Sequence, residues 1–274
     1  MKYNKFKIIA NKSMFLLAIF LIFFACKDEN STDPVDNKPE MPPISSMQMD
    51  FDSFPESETL SKITGNNSWG WAWLHGVAWK TVISAGMVIP VAAFAESFNH
   101  DPAQQEDGRW LWEYNFTPLG GANHTASLYG SVDNDGVSWE MYISKESQFA
   151  DFLWFSGESD IFGTGGTWTF YNNPNNPTTL FGIEWQRNKE DSTGSIKFTN
   201  IIPNHNENGG YINYGVVSEP IYDAFFEIFN KKEENYINIK WNRETHQGRV
   251  QDAKHFGDAE WHCWDENLQD MVCE

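Results

Sequence analysis

The chain has 274 residues, of which 19 are Lys or Arg and 38 are Asp or Glu, giving a formal net charge of −19 at pH 7. This acidic balance disfavours polyanionic partners, so we expect no nucleic-acid ligand. Aromatic residues make up 16% of the chain, enough for a sizeable core at this length, and we expect one compact domain.

The first 25 residues have the composition of a secretory leader. Four lysines precede an apolar run at residues 14–24, and Ala25 stands immediately before Cys26. This order predicts a signal peptide over residues 1–25, cleaved before a lipidated Cys26. An uncleaved anchor helix is the alternative, but it needs roughly 17–25 apolar residues and gives no role to the cysteine. Cleavage would remove four positive charges and leave the mature chain more acidic.

Cys26 is followed by Lys27, Asp28 and Glu29. These residues resemble the surface-export signal of Bacteroidota outer-membrane lipoproteins, in which a lysine and acidic residues follow the lipidated cysteine. The resemblance implies a protein held on the outer membrane by acyl chains such as palmitate and facing the cell exterior. It covers only this N-terminal segment and implies nothing about the folded domain. A solvated tether would contain the same residue types.

Residues 26–46 comprise the lipidated cysteine and a polar, proline-containing segment that cannot bury enough surface to become ordered, so we predict a flexible tether. A single β-rich domain is then expected over residues 47–274. Its first predicted strand lies at residues 47–51, where Met47 and Met49 alternate with polar residues.

Residues 68–98 are the strongest helical segment. Ser68 can cap the helix, and apolar residues occur on all of its sides, which predicts burial on most sides. A second transmembrane span is the alternative, but Pro90 and several glycines oppose it.

Short aromatic runs separated by Gly, Asn, Asp and Pro follow, and they predict strands joined by tight antiparallel connections. The predicted strands cover residues 110–116, 125–132, 137–144, 152–156, 167–171, 180–187, 195–201, 211–217, 224–229, 236–242, 249–253 and 260–264. The expected fold is mainly β, as an antiparallel up-and-down barrel or a strongly curved sheet, with the helix at 68–98 plugging or covering it.

A glutamate recurs in the middle of four predicted strands, opposite an aromatic or aliphatic face: Glu113, Glu140, Glu184 and Glu227. In one interpretation the aromatic residues form the core and the glutamates face water. In the other, some of these carboxylates line a cavity and provide an acid/base pair. Period-two alternation identifies two faces without saying which is inside.

Two cysteines remain when Cys26 carries lipid. Cys263 and Cys273 lie close together in the sequence, and an exported chain meets an oxidising compartment, so we predict a disulfide between them.

We expect a lipid-anchored binding or envelope protein that engages a small ligand, glycan, lipid or protein partner through exposed aromatic side chains. The sequence predicts no metal, cofactor or catalytic residue. A carboxylate-dependent hydrolase resembling a glycoside hydrolase is one alternative. A structural subunit of an envelope assembly is the other, and a large exposed apolar patch would favour it.

Overall fold

The structure is a computed structural model, and it describes residues 38–56, 67–119 and 121–273. The predicted lipidation site and export signal lie outside these residues. Within them the fold is mainly β, with one long helix, α1 (Ser68–Ser97), and one short helix, α2 (Ala253–Phe256).

In the part of the chain that the structure describes, fourteen strands form a single antiparallel sheet, and each strand pairs only with its neighbours in the sequence. The strands are β1 (Ala103–Gln104), β2 (Trp110–Phe116), β3 (His124–Val132), β4 (Val137–Lys145), β5 (Phe149–Ser159), β6 (Gly165–Asn173), β7 (Asn176–Arg187), β8 (Gly194–Asn200), β9 (Tyr211–Val216), β10 (Ala224–Asn230), β11 (Asn235–Trp241), β12 (Gly248–Gln251), β13 (His262–Trp264) and β14 (Asp270–Met271).

All the strands predicted after the helix are confirmed, whereas the two edge strands β1 and β14 were not predicted. Each edge strand is two residues long. Across the described residues β1 pairs only with β2 and β14 only with β13, so the sheet is open. A closed barrel requires the first and last strands to pair, and these short edges do not.

Helix α1 crosses the strands and lies over one face of the sheet. Near its N-terminus, the backbone N–H of Ser68 donates to Asp270 in β14 at 2.8 Å. Near its C-terminus, the Ala93 carbonyl accepts a hydrogen bond from Tyr114 in β2 at 2.6 Å. A helix of this length extends about 45 Å, enough to cross about nine strands spaced about 4.8 Å apart. The helix therefore covers an open sheet and does not plug a barrel.

Two glycines allow α1 to approach the middle of the sheet. Gly76 lies against Phe226 of β10, and Gly86 lies against Leu180 and Phe181 of β7. A Cβ atom at Gly86 would stand only 2.8 Å from the Leu180 side chain. A larger residue at this position would push the helix away from the strands.

The N-terminal strap, residues 38–56, packs on the same face of the sheet as α1. It contains two 3₁₀ helices, Ile44–Ser46 and Phe51–Ser53, so the strand predicted at residues 47–51 is wrong. Three buried indoles hold the strap by donating hydrogen bonds: Trp168 to the Ser46 hydroxyl, Trp241 to the Ser53 carbonyl and Trp69 to the Pro55 carbonyl, at 3.2, 2.8 and 3.0 Å. These three hydrogen bonds join the strap to the helix and the sheet, as backbone hydrogen bonds would have done if residues 47–51 formed a strand.

The packed chain also begins earlier than the predicted domain boundary at residue 47. Pro39, Pro42 and Ser46 are buried, and Glu40 accepts hydrogen bonds from Arg187 and Lys189. The last part of the predicted tether is therefore packed on the domain. Proline-rich composition alone did not reveal the apolar contacts that these residues make.

The predicted disulfide is confirmed. Cys263 in β13 is bonded to Cys273, with the two Cα atoms 5.3 Å apart. The bond ties the end of the described chain to the last strands of the sheet.

Candidate functional site

The four central glutamates lie on the face of the sheet opposite α1. Glu113 and Glu184 are exposed, and Glu140 and Glu227 are half-buried. None of the four stands opposite another in the register: their cross-strand partners are Ser127, Tyr129, Ser156, Thr167, Lys197, Asn213 and Asn238. The aromatic face is therefore the core, and these glutamates do not assemble into the carboxylate pair that a glycoside hydrolase requires.

Most of the tryptophans belong to the core. Eight of them are at most 5% exposed: Trp69, Trp112, Trp139, Trp154, Trp168, Trp185, Trp241 and Trp264. The other five are half-buried. The aromatic surplus therefore serves mainly to fill the space between the sheet, α1 and the strap.

One aromatic cluster occupies the opposite, solvent-facing side of the sheet. Tyr211, Phe229 and Tyr236 stand side by side on β9, β10 and β11, with ring centroids 5.9 and 4.7 Å apart. The Tyr211 hydroxyl donates to Glu227 at 2.6 Å. Burial and this neighbouring carboxylate raise the pKa of Tyr211. Lys197 lies over the Tyr211 ring, so the cluster combines ring faces with charged hydrogen-bonding groups.

Helix α1 is buried on one side only, so the prediction that it is buried on most sides is wrong. Leu74, Val82 and Val88 are 41%, 54% and 48% exposed. Among the described residues α1 alone is long and apolar enough to cross a membrane, a property that core helices of soluble proteins share. Because α1 is apolar on all sides, its sequence does not indicate which side the sheet leaves uncovered.

A groove of about 530 Å³ lies between α1 and the strap. Its apolar walls consist of Ile44, Met47, Met49, Phe51, Ile83, Met87, Val88 and Val91. The α1 wall extends from Lys80 to Val91, which is about 17 Å along the helix axis. The volume and the apolar lining are typical of a small-molecule site. Similar volumes at the strand ends are lined largely by polar and glycine residues.

The groove has one charged end. The Lys80 ammonium lies 2.6 Å from the Asp52 carboxylate, and the Asp52 side chain is 85% exposed. An exposed ion pair of this kind contributes little to stability, so a ligand can replace the carboxylate at small cost. The groove can therefore receive an apolar chain along its walls and a polar head at Lys80.

The N-terminal end of α1 is fixed by a buried carboxylate. Asp252 is 1% exposed and accepts hydrogen bonds from the indole of Trp71 at 3.0 Å and from Asn235 at 2.9 Å. It also caps α2 by accepting from the backbone N–H groups of Lys254 and His255. The Trp71 ring stacks on His255, with ring centroids 3.7 Å apart.

His75 lies beside this cluster, with its ring 4.6 Å from that of Trp71. Its buried Nε2 atom has no hydrogen-bond partner among the described residues. Burial lowers the pKa of His75, the Asp252 carboxylate acts in the opposite direction, and His255 lowers it further. Burial of the ring therefore favours its neutral form.

Because the pKa of His75 is lowered in the folded chain, we expect the protein to lose stability as the pH falls. Above pH 6.5, the ordinary value for this group, both the folded and unfolded chains carry neutral His75. As the pH falls below that value, the unfolded chain takes up a proton before the folded chain does, so the free energy of unfolding falls. Urea titrations on either side of pH 6.5 should show a smaller loss in His75→Gln. The matched control is His205→Gln, at an exposed histidine, and equal losses in all three proteins would contradict the assignment.

No family model, curated protein or solved structure matches this chain. The surfaces of the folded chain are therefore the basis for its function.

No local pattern in the sequence indicates the groove directly. One wall comes from residues assigned to a tether and a strand, and the other from one side of a helix that is apolar all round. Two features are visible in retrospect: the alternation of Met47 and Met49 with polar residues, and a lone Lys80 within the apolar helix.

Proposed function

We propose that the protein is a lipid-anchored binding protein on the outer face of the outer membrane, and that it binds an amphipathic ligand bearing an acyl chain. The groove between α1 and the strap is the observation that carries this proposal. Its apolar walls suit the chain, and Lys80 suits a polar or singly charged head. The leader, Cys26 and residues 27–29 support the location.

The proposed function is binding without turnover of the ligand. The four strand glutamates are separated from one another on the sheet, and the groove walls contain a lysine, two aspartates and neutral side chains.

The passage of α1 over so many strands also agrees with the strongly curved sheet expected from the sequence.

A fluorescent fatty acid should bind saturably to the soluble chain beginning at Lys27, which retains the whole strap. Val88→Asp is expected to weaken binding about tenfold or more, because it places a charge in the apolar wall of the groove. Val132→Asp is the matched control, since Val88 and Val132 are 48% and 46% exposed and only Val88 lines the groove. Fluorescence titration gives the affinities, and recovery of intact ligand tests for turnover.

Equal affinities for the wild-type and Val88→Asp chains would contradict the groove as the site. A hydrolysed ligand would favour the enzyme alternative. Failure to bind any lipid or glycan in a broad panel would favour the structural role in an envelope assembly.

A glycan is the second candidate ligand, and the cluster of Tyr211, Phe229 and Tyr236 is the observation that favours it. Tyr236 is 55% exposed, and aromatic rings beside hydrogen-bonding side chains are suited to sugar rings. Glycans in the same panel should lose affinity for Tyr236→Ala and retain it for Val88→Asp. The opposite pattern would assign glycan binding to the groove.

A further inference from the structure

We infer that α1 lies on the surface of the bilayer that holds the lipid anchor, with its exposed side in contact with the lipid. This inference rests on the anchor in the proposed function and adds an orientation and a second membrane contact. It is carried by the chemistry of the exposed side of α1 and by the place where the tether joins the domain.

The exposed side of α1 is almost free of charge in a protein that is otherwise strongly acidic. Lys80 and Glu96 are the only Lys, Arg, Asp or Glu residues in the helix, and each is paired, Lys80 with Asp52 and Glu96 with His100. Most other exposed positions are small or apolar: Leu74, Ala78, Val82, Ala85, Val88 and Ala95, with Phe98 directly after the helix. Thr81 and Ser84 are the exposed polar residues of the helix.

One of the two exposed polar side chains, that of Thr81, is hydrogen-bonded within the helix. The Thr81 hydroxyl donates to the Val77 carbonyl at 2.8 Å, so it does not require water as a partner. Contact with lipid would therefore leave no hydrogen bond of Thr81 unmade.

The chain enters the domain at the C-terminal end of α1. The Ser97 hydroxyl oxygen lies 3.4 Å from the Met41 sulfur, and the Lys38 ammonium lies 4.0 Å from the Asp101 carboxylate. The start of the strap is therefore beside Phe98, which is 46% exposed.

The tether is too short to hold this end of the helix far from the membrane. Twelve residue steps separate Cys26 from Lys38. Even fully extended, twelve steps reach at most about 43 Å. Lipidation at Cys26 thus keeps the C-terminal end of α1 near the bilayer.

A helix with one uncharged, apolar side lies in the membrane interface with that side about 5–10 Å deep. A weak contact between α1 and the bilayer suffices, because the lipid anchor already holds the protein on the same membrane. The anchor therefore raises the effective concentration of lipid at the helix. Because α1 covers one face of the sheet, this orientation directs the other face, with Tyr211, Phe229 and Tyr236, toward the exterior.

Single-cysteine reporters test the contact in the acylated full-length protein. Val82→Cys, with Ala78→Cys as a second position, is labelled with an environment-sensitive fluorophore after reconstitution in phosphatidylcholine vesicles. Cys26 is blocked by acylation and Cys263 by its disulfide, so the new cysteine is the free thiol. Val132→Cys is the matched control, since Val82 and Val132 are 54% and 46% exposed.

The labels at residues 78 and 82 should emit at shorter wavelength in vesicles and be quenched by a lipid-borne quencher, and the label at residue 132 should show neither effect. If the protein floats with the vesicles but the labels at residues 78 and 82 stay in water, the membrane contact of α1 is overturned and the lipid anchor is not. Protein that does not float would overturn the anchor, and the inference with it. Protection of these positions in the soluble chain without vesicles would show that a second copy covers α1, and would also overturn the inference.

Discussion

Replacing Trp241 with alanine is expected to lower the free energy of unfolding by about 3–5 kcal/mol. Trp241 is fully buried, and its ring lies 4.7 Å from that of Phe226 and 5.0 Å from that of Phe54. Its indole also donates to the Ser53 carbonyl at 2.8 Å. The alanine variant would therefore leave a cavity between the sheet and the strap and remove one of the strap's hydrogen bonds. Urea unfolding followed by circular dichroism measures the change.

Trp241→Phe separates the two contributions. It keeps most of the ring and loses the hydrogen bond to Ser53, so a loss of about 1–2 kcal/mol is expected. Trp261→Ala is the matched control, because Trp261 is half-buried and packs against Arg249, away from the strap. If Trp241→Ala costs no more than Trp261→Ala, the strap is not fastened to the sheet as described.

Replacing Cys26 with alanine is expected to abolish acylation of the protein. The sequence predicts a processing site between Ala25 and Cys26, and the thiol of Cys26 is the predicted attachment point. Acyl chains contribute about 0.8 kcal/mol per buried CH₂ to membrane binding, so two or more chains make the anchor stable. Incorporation of an alkyne-tagged fatty acid in growing cells reports acylation directly.

Membrane fractionation alone would be ambiguous, because an unprocessed leader can itself retain the chain in a membrane. The control is the double variant Cys263→Ser and Cys273→Ser, which removes the disulfide and should still incorporate the tag. Tag in the Cys26→Ala protein, or none in the wild-type protein, would refute the anchor.

Local sequence patterns predicted the strands well because alternation and turn residues act over short distances. The run from Trp110 to Phe116 alternates between buried and exposed positions from Trp112 onward, as expected for a strand with one buried face. The disulfide was predicted from the number of cysteines and from the expectation that the chain is exported. Neither prediction required knowledge of the overall topology.

The path of the helix, the strap and the groove depend on contacts between distant residues. Sheet closure is decided by the first and last strands, and β1 and β14 are too short to produce a pattern. A helix that is apolar all round does not show which side meets the sheet. The strap is held by indole donors such as Trp168 and Trp241, and the sequence does not indicate which acceptors they reach.

The order of the elements also governs how the chain acquires this fold. The strands pair with their neighbours in sequence, so the sheet can grow by local contacts, which favour fast folding. The strap and α1 emerge first, yet they contact strands from both ends of the sheet. The helix is therefore covered along its whole length only after β12 and β13 have followed, and an incompletely folded chain with exposed apolar surface is prone to aggregate. Folding of the sheet and complete docking of the helix would then be separate kinetic events, and this chain order requires protection of the helix until the sheet is complete.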